Sequence, residues 1–270
     1  MSPKEFDPQL QAMDAELAGW SEPAERLRYA LAKDELVLYC QPIAALNGAV
    51  RFPMAEVLVR LHEEEKALLP PGQFLPLFEH YRLMPDLDLW VVRNVLRHLA
   101  RGSRIPRFTV NVSSQTLDDP AFPKAVALEL VSGGVSGTAL HFELSEADTL
   151  ARLDASVRFA TAIRAVGCGL LVSGFGRRSA SFMALKTLLP DYVKVDGVIV
   201  RKLLTAPAAE AKLKAILRVG EVMGFQVIAE MVEDQDILVR LKALGVGFAQ
   251  GFGVQQPHPI ELIAGQAAAT

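Results

Sequence analysis

From about residue 35 onward the chain alternates between two rhythms. Short apolar runs rich in Val, Leu and Phe, bounded by Gly, Pro or Asp, occupy 35–41, 52–60, 108–112, 139–144, 168–173, 192–195, 226–230 and a shorter stretch near 246–250. Runs of this length and composition predict strands. Between them apolar positions recur with helical period: Leu87, Trp90, Val91 and Val95 share one face, and 211–223 and 235–244 behave alike. Repeated units of this kind predict an α/β protein with parallel strands covered by helices. Eight strand candidates predict that the sheet closes into a (β/α)8 barrel.

The ends read differently. Residues 1–22 are polar and predict a helical extension with a loop, and Ser21-Glu22-Pro23 predicts the next helix start, with serine as the cap and proline in the first turn. The barrel domain is expected over 23–264, and the small, polar tail 265–270 is expected to fray. No apolar signal-peptide core and no run approaching a membrane span is present, so the expectation is a cytoplasmic protein without membrane insertion.

Composition narrows the classes. Hydrophobic residues make up 51% of 270, enough for a large core, and the net charge of −3 without a long basic run disfavours nucleic acid as a partner. Cys40 and Cys168 both lie inside apolar runs and read as buried thiols; a disulfide is unneeded at this size. His62, His80, His98, His141 and His258 lack metal-binding spacing, and Gly167, Gly169, Gly174 and Gly176 do not form a dinucleotide fingerprint. Glu63-Glu64-Glu65-Lys66 reads as a solvated loop, and the helical face at 159–163 as core.

The chemistry gathers at the strand ends. Glu56, Asn111, Glu143, Lys194, Glu230 and Gln250 each stand in or just after an apolar run. In a barrel the carboxyl ends of the strands form the functional face. One carboxylate there reads as easily as a cap or an ion-pair partner. Several around one mouth are costly to bury without a ligand or counter-charge, and three carboxylates with an amide oxygen suit a hard cation such as Mg2+, Mn2+ or Ca2+.

The order of these residues resembles the EAL domains, cyclic di-GMP phosphodiesterases and receptors built on a modified TIM barrel. Gln41-Pro42-Ile43 is similar to their QPI, Glu56-Val57-Leu58-Val59-Arg60 to EALxR, Val110-Asn111-Val112-Ser113 to VNLS and Glu143-Leu144-Ser145-Glu146 to ELTE. Lys194-Val195-Asp196 resembles part of LKID, Ala229-Glu230-Met231-Val232-Glu233 resembles AEGVE, and Gln250-Gly251-Phe252 resembles QGY. The resemblance runs from about Leu27 to Pro259. It implies that Glu56, Asn111, Glu143 and Glu230 correspond to metal ligands, that Lys194 orients the attacking water and that Gln250 lines the same site. Arg60 would contact phosphate, Gln41 and Leu58 would serve phosphate, sugar or base, and Glu146 would brace the loop after the fifth barrel strand.

One block departs. Where the family reads DDFGTGYSS, this chain reads Ser173-Gly174-Phe175-Gly176-Arg177-Arg178-Ser179-Ala180-Ser181. Both aspartates that bind the metal pair in active members are replaced, and two cations ~3.5–4 Å apart need dense negative charge between them. The catalytic set Glu56, Lys194 and Glu230 is then vestigial. Arg177 and Arg178 offer guanidinium charge for phosphate, or equally a solvated loop tip. Val254 stands for a family aromatic, and Glu79-His80-Tyr81-Arg82-Leu83 for ExxGL, with His80 and Tyr81 open to stacking or packing. The expected function is a catalytically silent cyclic di-GMP receptor that requires no cofactor, with room for one divalent cation. The alternatives are a protein-interaction scaffold serving a regulatory partner and a weak residual phosphodiesterase. A homodimer is compatible with the resemblance, though the loop at which relatives pair is altered here.

Overall fold

A computed structural model describes residues 22–33, 35–48, 50–62, 68–69, 71–177 and 182–265. The expectations for 1–21, Glu63–Lys66, Arg178 and the tail beyond Gly265 lie outside the described residues. The strands are β1 (Leu36–Ala45), β2 (Met54–His62), β3 (Leu68–Leu69), β4 (Phe108–Asn111), β5 (Leu140–Ser145), β6 (Gly169–Phe175), β7 (Tyr192–Val195), β8 (Gln226–Ala229), β9 (Phe248–Ala249) and β10 (His258–Pro259). Eight of them close the barrel in the order β1-β2-β4-β5-β6-β7-β8-β9, and β9 returns to β1; β3 and β10 are two-residue additions.

Every predicted strand is present, but not every one is parallel. β2 and β4 to β9 run parallel, whereas β1 lies antiparallel to both β2 and β9. The link from Ala45 to Met54 is too short for a parallel crossover, which takes a dozen residues or more, so the chain turns straight back on itself. Two of the predicted helices lengthen, to Met84–Ala100 and Pro207–Met223, and the third ends one residue earlier, at Gln235–Ala243. The first described helix, Pro23–Ala32, starts with proline as expected, but its cap is Glu22, without a capping side-chain bond, and not Ser21.

Two apolar packings hold the barrel. Outside, strands and helices bury one continuous cluster that includes Leu87, Trp90, Val91, Val95, Phe159 and Ile163. Cys40 and Cys168 are buried free thiols, pushed up to about 12 by burial. Inside, Ile43, Met54, Leu171, Tyr192 and Ile228, with Phe248 against them, form a separate plug.

The plug explains where the chemistry sits. Side chains alternate faces along a strand, so residues two apart point the same way, one level higher. Each plug residue lies two positions from a polar one: Met54 from Glu56, Ile43 from Gln41, Leu171 from Ser173, Tyr192 from Lys194, Ile228 from Glu230, Phe248 from Gln250. An apolar floor thus carries a polar mouth directly above it.

Candidate ligand site at the barrel mouth

Lys194 organises the mouth. Only 1% of its side chain is exposed, and its Nζ donates to Glu56 Oε2 at 2.7 Å and to Glu143 Oε2 at 2.6 Å. Asn111 Nδ2 donates to Glu56 Oε1 at 3.0 Å, and Gln250 Nε2 donates to Glu56 Oε2 at 2.7 Å and to Gln41 Oε1 at 3.1 Å. Gln41 Nε2 in turn donates to the Gln255 carbonyl at 3.1 Å, and Thr109 Oγ1 to Glu143 Oε2 at 3.2 Å. Five strands, β1, β2, β4, β5 and β7, together with Gln250 just beyond β9, therefore share one hydrogen-bonded network. Glu230, just past β8, stands at its edge and accepts from the Gly197 amide at 3.2 Å.

The three carboxyls do not behave alike. Burial opposes ionisation of Glu56, but the Lys194 ammonium and the bonds from Lys194, Asn111 and Gln250 outweigh it and hold the carboxyl below its ordinary value. Burial pushes Glu143 up, and the neighbouring Glu56 charge adds to that, while Lys194 and the Ser173 hydroxyl pull the other way. Glu230 is pushed up to about 7, chiefly by burial, with Lys194 opposing. Burial alone would lower Lys194; the Glu143 and Glu56 charges more than reverse it. The ammonium is thus permanently charged, and Glu56 carries the matching anion.

The rim changes character at β6. Ser173 pairs in register with Ser145, and the ladder to β7 then shifts register between Val172 and Phe175. Such a bulge re-aims the side chains at a strand end. Here it holds Ser173 and Gly174, so it presents a hydroxyl and no side chain at all. Gly174 lies in the left-handed region at φ 66°. Beyond it the Gly176 amide donates to Glu146 Oε1 at 3.2 Å, so Glu146 fastens this turn.

Two cavities border the network, one touching Glu56 and the other Asn111. One of about 280 Å3 is lined by Gln41, Glu56, Glu230, Met231, Gln250 and Phe252, whose ring is 62% exposed. The other, about 210 Å3, is mostly apolar and reaches Leu58, Leu75, Met84, Asp88 and Asn111. Arg60 stands on the same face of β2 as Glu56 but about 13 Å further along the strand. Its guanidinium lies over the Tyr39 ring at 5.3 Å and Nη1 donates to the Val59 carbonyl at 2.9 Å. The structure therefore joins Gln41, Glu56, Asn111, Glu143, Lys194 and Gln250, places Glu230 beside them, and leaves Leu58 and Arg60 on the outer approach. Arg177 faces Asp196 at 3.9 Å. His80 and Tyr81 meet edge to face at 4.8 Å, with Tyr81 packed on the core, and Val254 also packs on the core.

Four participants escaped the sequence reading. Phe252 sits inside the motif quoted for Gln250, and Tyr39 inside the strand run that leads to Gln41. Thr109 is hidden because it is two residues below Asn111 in an apolar run. Met231 adopts a left-handed backbone at φ 55° where the resembling motif carries glycine, a legible signal, and Arg201 Nη1 approaches its sulfur at 3.2 Å.

Asp88 is the fifth. Buried on the helix Met84–Ala100, it accepts from the Ser113 amide at 2.9 Å and from Thr116 Oγ1 at 2.6 Å, tying down the turn that follows Asn111. Burial pushes it up to about 6, against those bonds. An acid whose folded value is raised binds its proton more tightly when folded, so its contribution is lost as pH rises from about 4 through about 6. Relative to Asp88→Asn, the native chain should lose up to about 3 kcal/mol of stability across that window. Urea unfolding of both at pH 4, 5, 6 and 7 measures this; parallel curves would contradict it.

The sequence matches the EAL domain over residues 24–257. This chain belongs to the EAL domain family. It is 30% identical over 240 residues to the cyclic di-GMP phosphodiesterase PdeB of Shewanella oneidensis, covering 88% of this chain and 28% of that protein. It is 27% identical over 238 residues to the cyclic di-GMP phosphodiesterase PdeF of Escherichia coli, covering 87% and 32%. The chain thus spans less than a third of the length of these two relatives. Among solved structures it resembles the FimX EAL domain from Pseudomonas aeruginosa bound to c-di-GMP, with a TM-score of 0.82, 26% identity and coverage of 88% and 96%. It likewise resembles the MucR phosphodiesterase complex with c-di-GMP, with a TM-score of 0.80, 28% identity and coverage of 89% and 99%. The EAL barrel is a modified TIM barrel, and the reversed β1 is its departure from the all-parallel plan. Among the described residues no helix is long and apolar enough to cross a membrane.

Proposed function

We propose that this EAL domain binds cyclic di-GMP as a receptor and does not cut it. The observation that carries the reading is the bulge on β6, where Ser173 and Gly174 supply neither of the carboxylates that a pair of bridged cations needs. Around that gap the rest of the network is intact, with one cavity reaching Glu56 and another reaching Asn111.

The donor set can be tested against a metal directly. Glu56 and Glu143 already spend oxygens on the Lys194 ammonium, and the end of β6 supplies a hydroxyl at Ser173 and no side chain at Gly174. The set does not fit a binuclear centre. A single Mg2+, Mn2+ or Ca2+ would draw on Glu56, Asn111, Glu143 and Glu230 and would supply positive charge to a phosphate. Receptor function does not depend on it.

The nucleotide has partners without a metal. Gln250 Oε1 is buried with no hydrogen-bond partner, an acceptor in want of a donor. Phe252 presents an aromatic face at the rim, and Arg60 a guanidinium on the outer approach that suits phosphate. Lys194, committed to two carboxylates, takes no part in phosphate neutralisation.

Calorimetry with cyclic di-GMP should show saturable binding in the micromolar range, weakened about tenfold or more by Arg60→Ala. Chromatography of the same mixtures should show no linear dinucleotide. Absence of heat from folded protein would overturn the receptor reading and favour a protein-binding scaffold. Linear product would overturn the claim of silence.

A further inference from the structure

The end of the barrel opposite the mouth, where the strands begin, holds a concave recess of about 420 Å3, in the size range of small-molecule sites. Arg107 precedes β4, His141 is the second residue of β5, Gly169 opens β6, and Asp191 precedes β7, so the fold gathers these residues around one rim. None of them takes part in the network at the mouth.

Their bonding leaves the recess unsatisfied. Arg107 Nη1 donates to the Tyr192 hydroxyl at 3.5 Å and Arg164 donates to the carbonyls of Leu188 and Leu189, so among the described residues neither guanidinium is matched by an acid. The single carboxylate, Asp191, is held by the Leu170 amide at 2.7 Å. Positive charge is therefore in surplus. His141 is 7% exposed, stacks edge-on to Tyr192 at 5.3 Å, and its Nδ1 is buried with no hydrogen-bond partner. A buried nitrogen left in that state is costly unless something visits it. Gly169 lies against the Cδ2–Nε2 edge of the ring, where a Cβ would fall 2.2 Å from Cδ2, so only glycine fits beside His141.

We propose that this recess is a second binding site, for a small oxyanion of the phosphate class, with Arg107 holding the charge and His141 reading the protonated oxygen. A hydrogen phosphate or phosphomonoester meets each demand. Its oxygens accept from the guanidinium fork. It also carries both acceptor oxygens and an O–H, so it satisfies His141 Nδ1 in either tautomer. Asp191 on the rim favours a ligand that retains a proton over one fully ionised.

The test titrates the full chain with inorganic phosphate and, separately, with glycerol 3-phosphate, following the ring nitrogens of His141 by NMR. The expected result is a saturable shift, with the tighter of the two identifying free phosphate or a phosphomonoester as the source. Arg107→Ala should weaken the response at least about tenfold. Arg107 is exposed, so this variant should keep the native melting temperature. A shift that never saturates in folded protein, or equal affinity in Arg107→Ala, would overturn the proposal.

Discussion

Lys194→Met should cost about 3–5 kcal/mol of unfolding free energy at pH 7, a drop of about 6–20 °C in melting temperature. The ammonium is 1% exposed and touches two carboxylates, at 2.7 and 2.6 Å. Methionine matches its length but leaves Glu56 and Glu143 facing each other in the barrel without a counter-charge. Both folded-state values then rise above the unfolded one. By linkage such a variant gains stability as pH falls and loses it as pH rises through the raised values, so the deficit should be smaller at pH 5 than at pH 8. Adding Glu143→Gln removes one of the stranded charges and should recover part of the loss. Chemical unfolding of the three proteins at pH 5, 7 and 8 measures the effect. A deficit below about 1 kcal/mol that ignores pH would mean that water or a mobile ion already neutralises the pair, against the account of a closed network.

The same network shows why part of this site was legible and part was not. Polar residues at the ends of apolar runs are visible in any strand-period reading, so Glu56, Asn111, Glu143, Lys194, Glu230 and Gln250 could be collected before any coordinates. That they converge follows from barrel closure, which eight strand runs foretold. The direction of β1 was also written in the chain, in the short link from Ala45 to Met54, but the uniform alternation of strands and helices hid it. What no local pattern carries is who bonds to whom. Lys194 reads as a catalytic lysine in isolation; only the fold shows it locked between two carboxylates. Arg60 reads as a phosphate contact because it belongs to the motif of Glu56, and only the strand spacing shows that it stands on the outer approach. Asp88 was passed over, and His141 weighed only for metal spacing, for the opposite reason: each is a single polar residue in an apolar run whose significance rests on contacts distant in sequence.

Ser173→Asp combined with Gly174→Asp should make stability depend on a divalent cation more strongly than in the native chain. The backbone can take both. No atom lies within 4 Å of a Cβ built on Gly174, and its φ of 66° is one that aspartate tolerates better than most residues, at a cost of about 1 kcal/mol. Ser173 is a different matter. Its hydroxyl favours ionised Glu143, and a carboxylate in its place would oppose it, adding repulsion where burial already raises that acid. Without a divalent ion the double variant should therefore be about 1–3 kcal/mol less stable than the native chain. Manganese relieves the repulsion, and a ligand that binds only the folded state at 100 times its dissociation constant returns about 2.7 kcal/mol. Thermal unfolding of both proteins with and without manganese separates the terms: the double variant should gain stability with the ion while the native chain shifts by less than about 0.5 kcal/mol. Cyclic di-GMP turnover should appear only in the variant, and only with the ion. Equal manganese affinity in a folded double variant and the native chain would show that the missing charge at β6 is not what limits metal binding, and the argument for a silent receptor would lose its foundation.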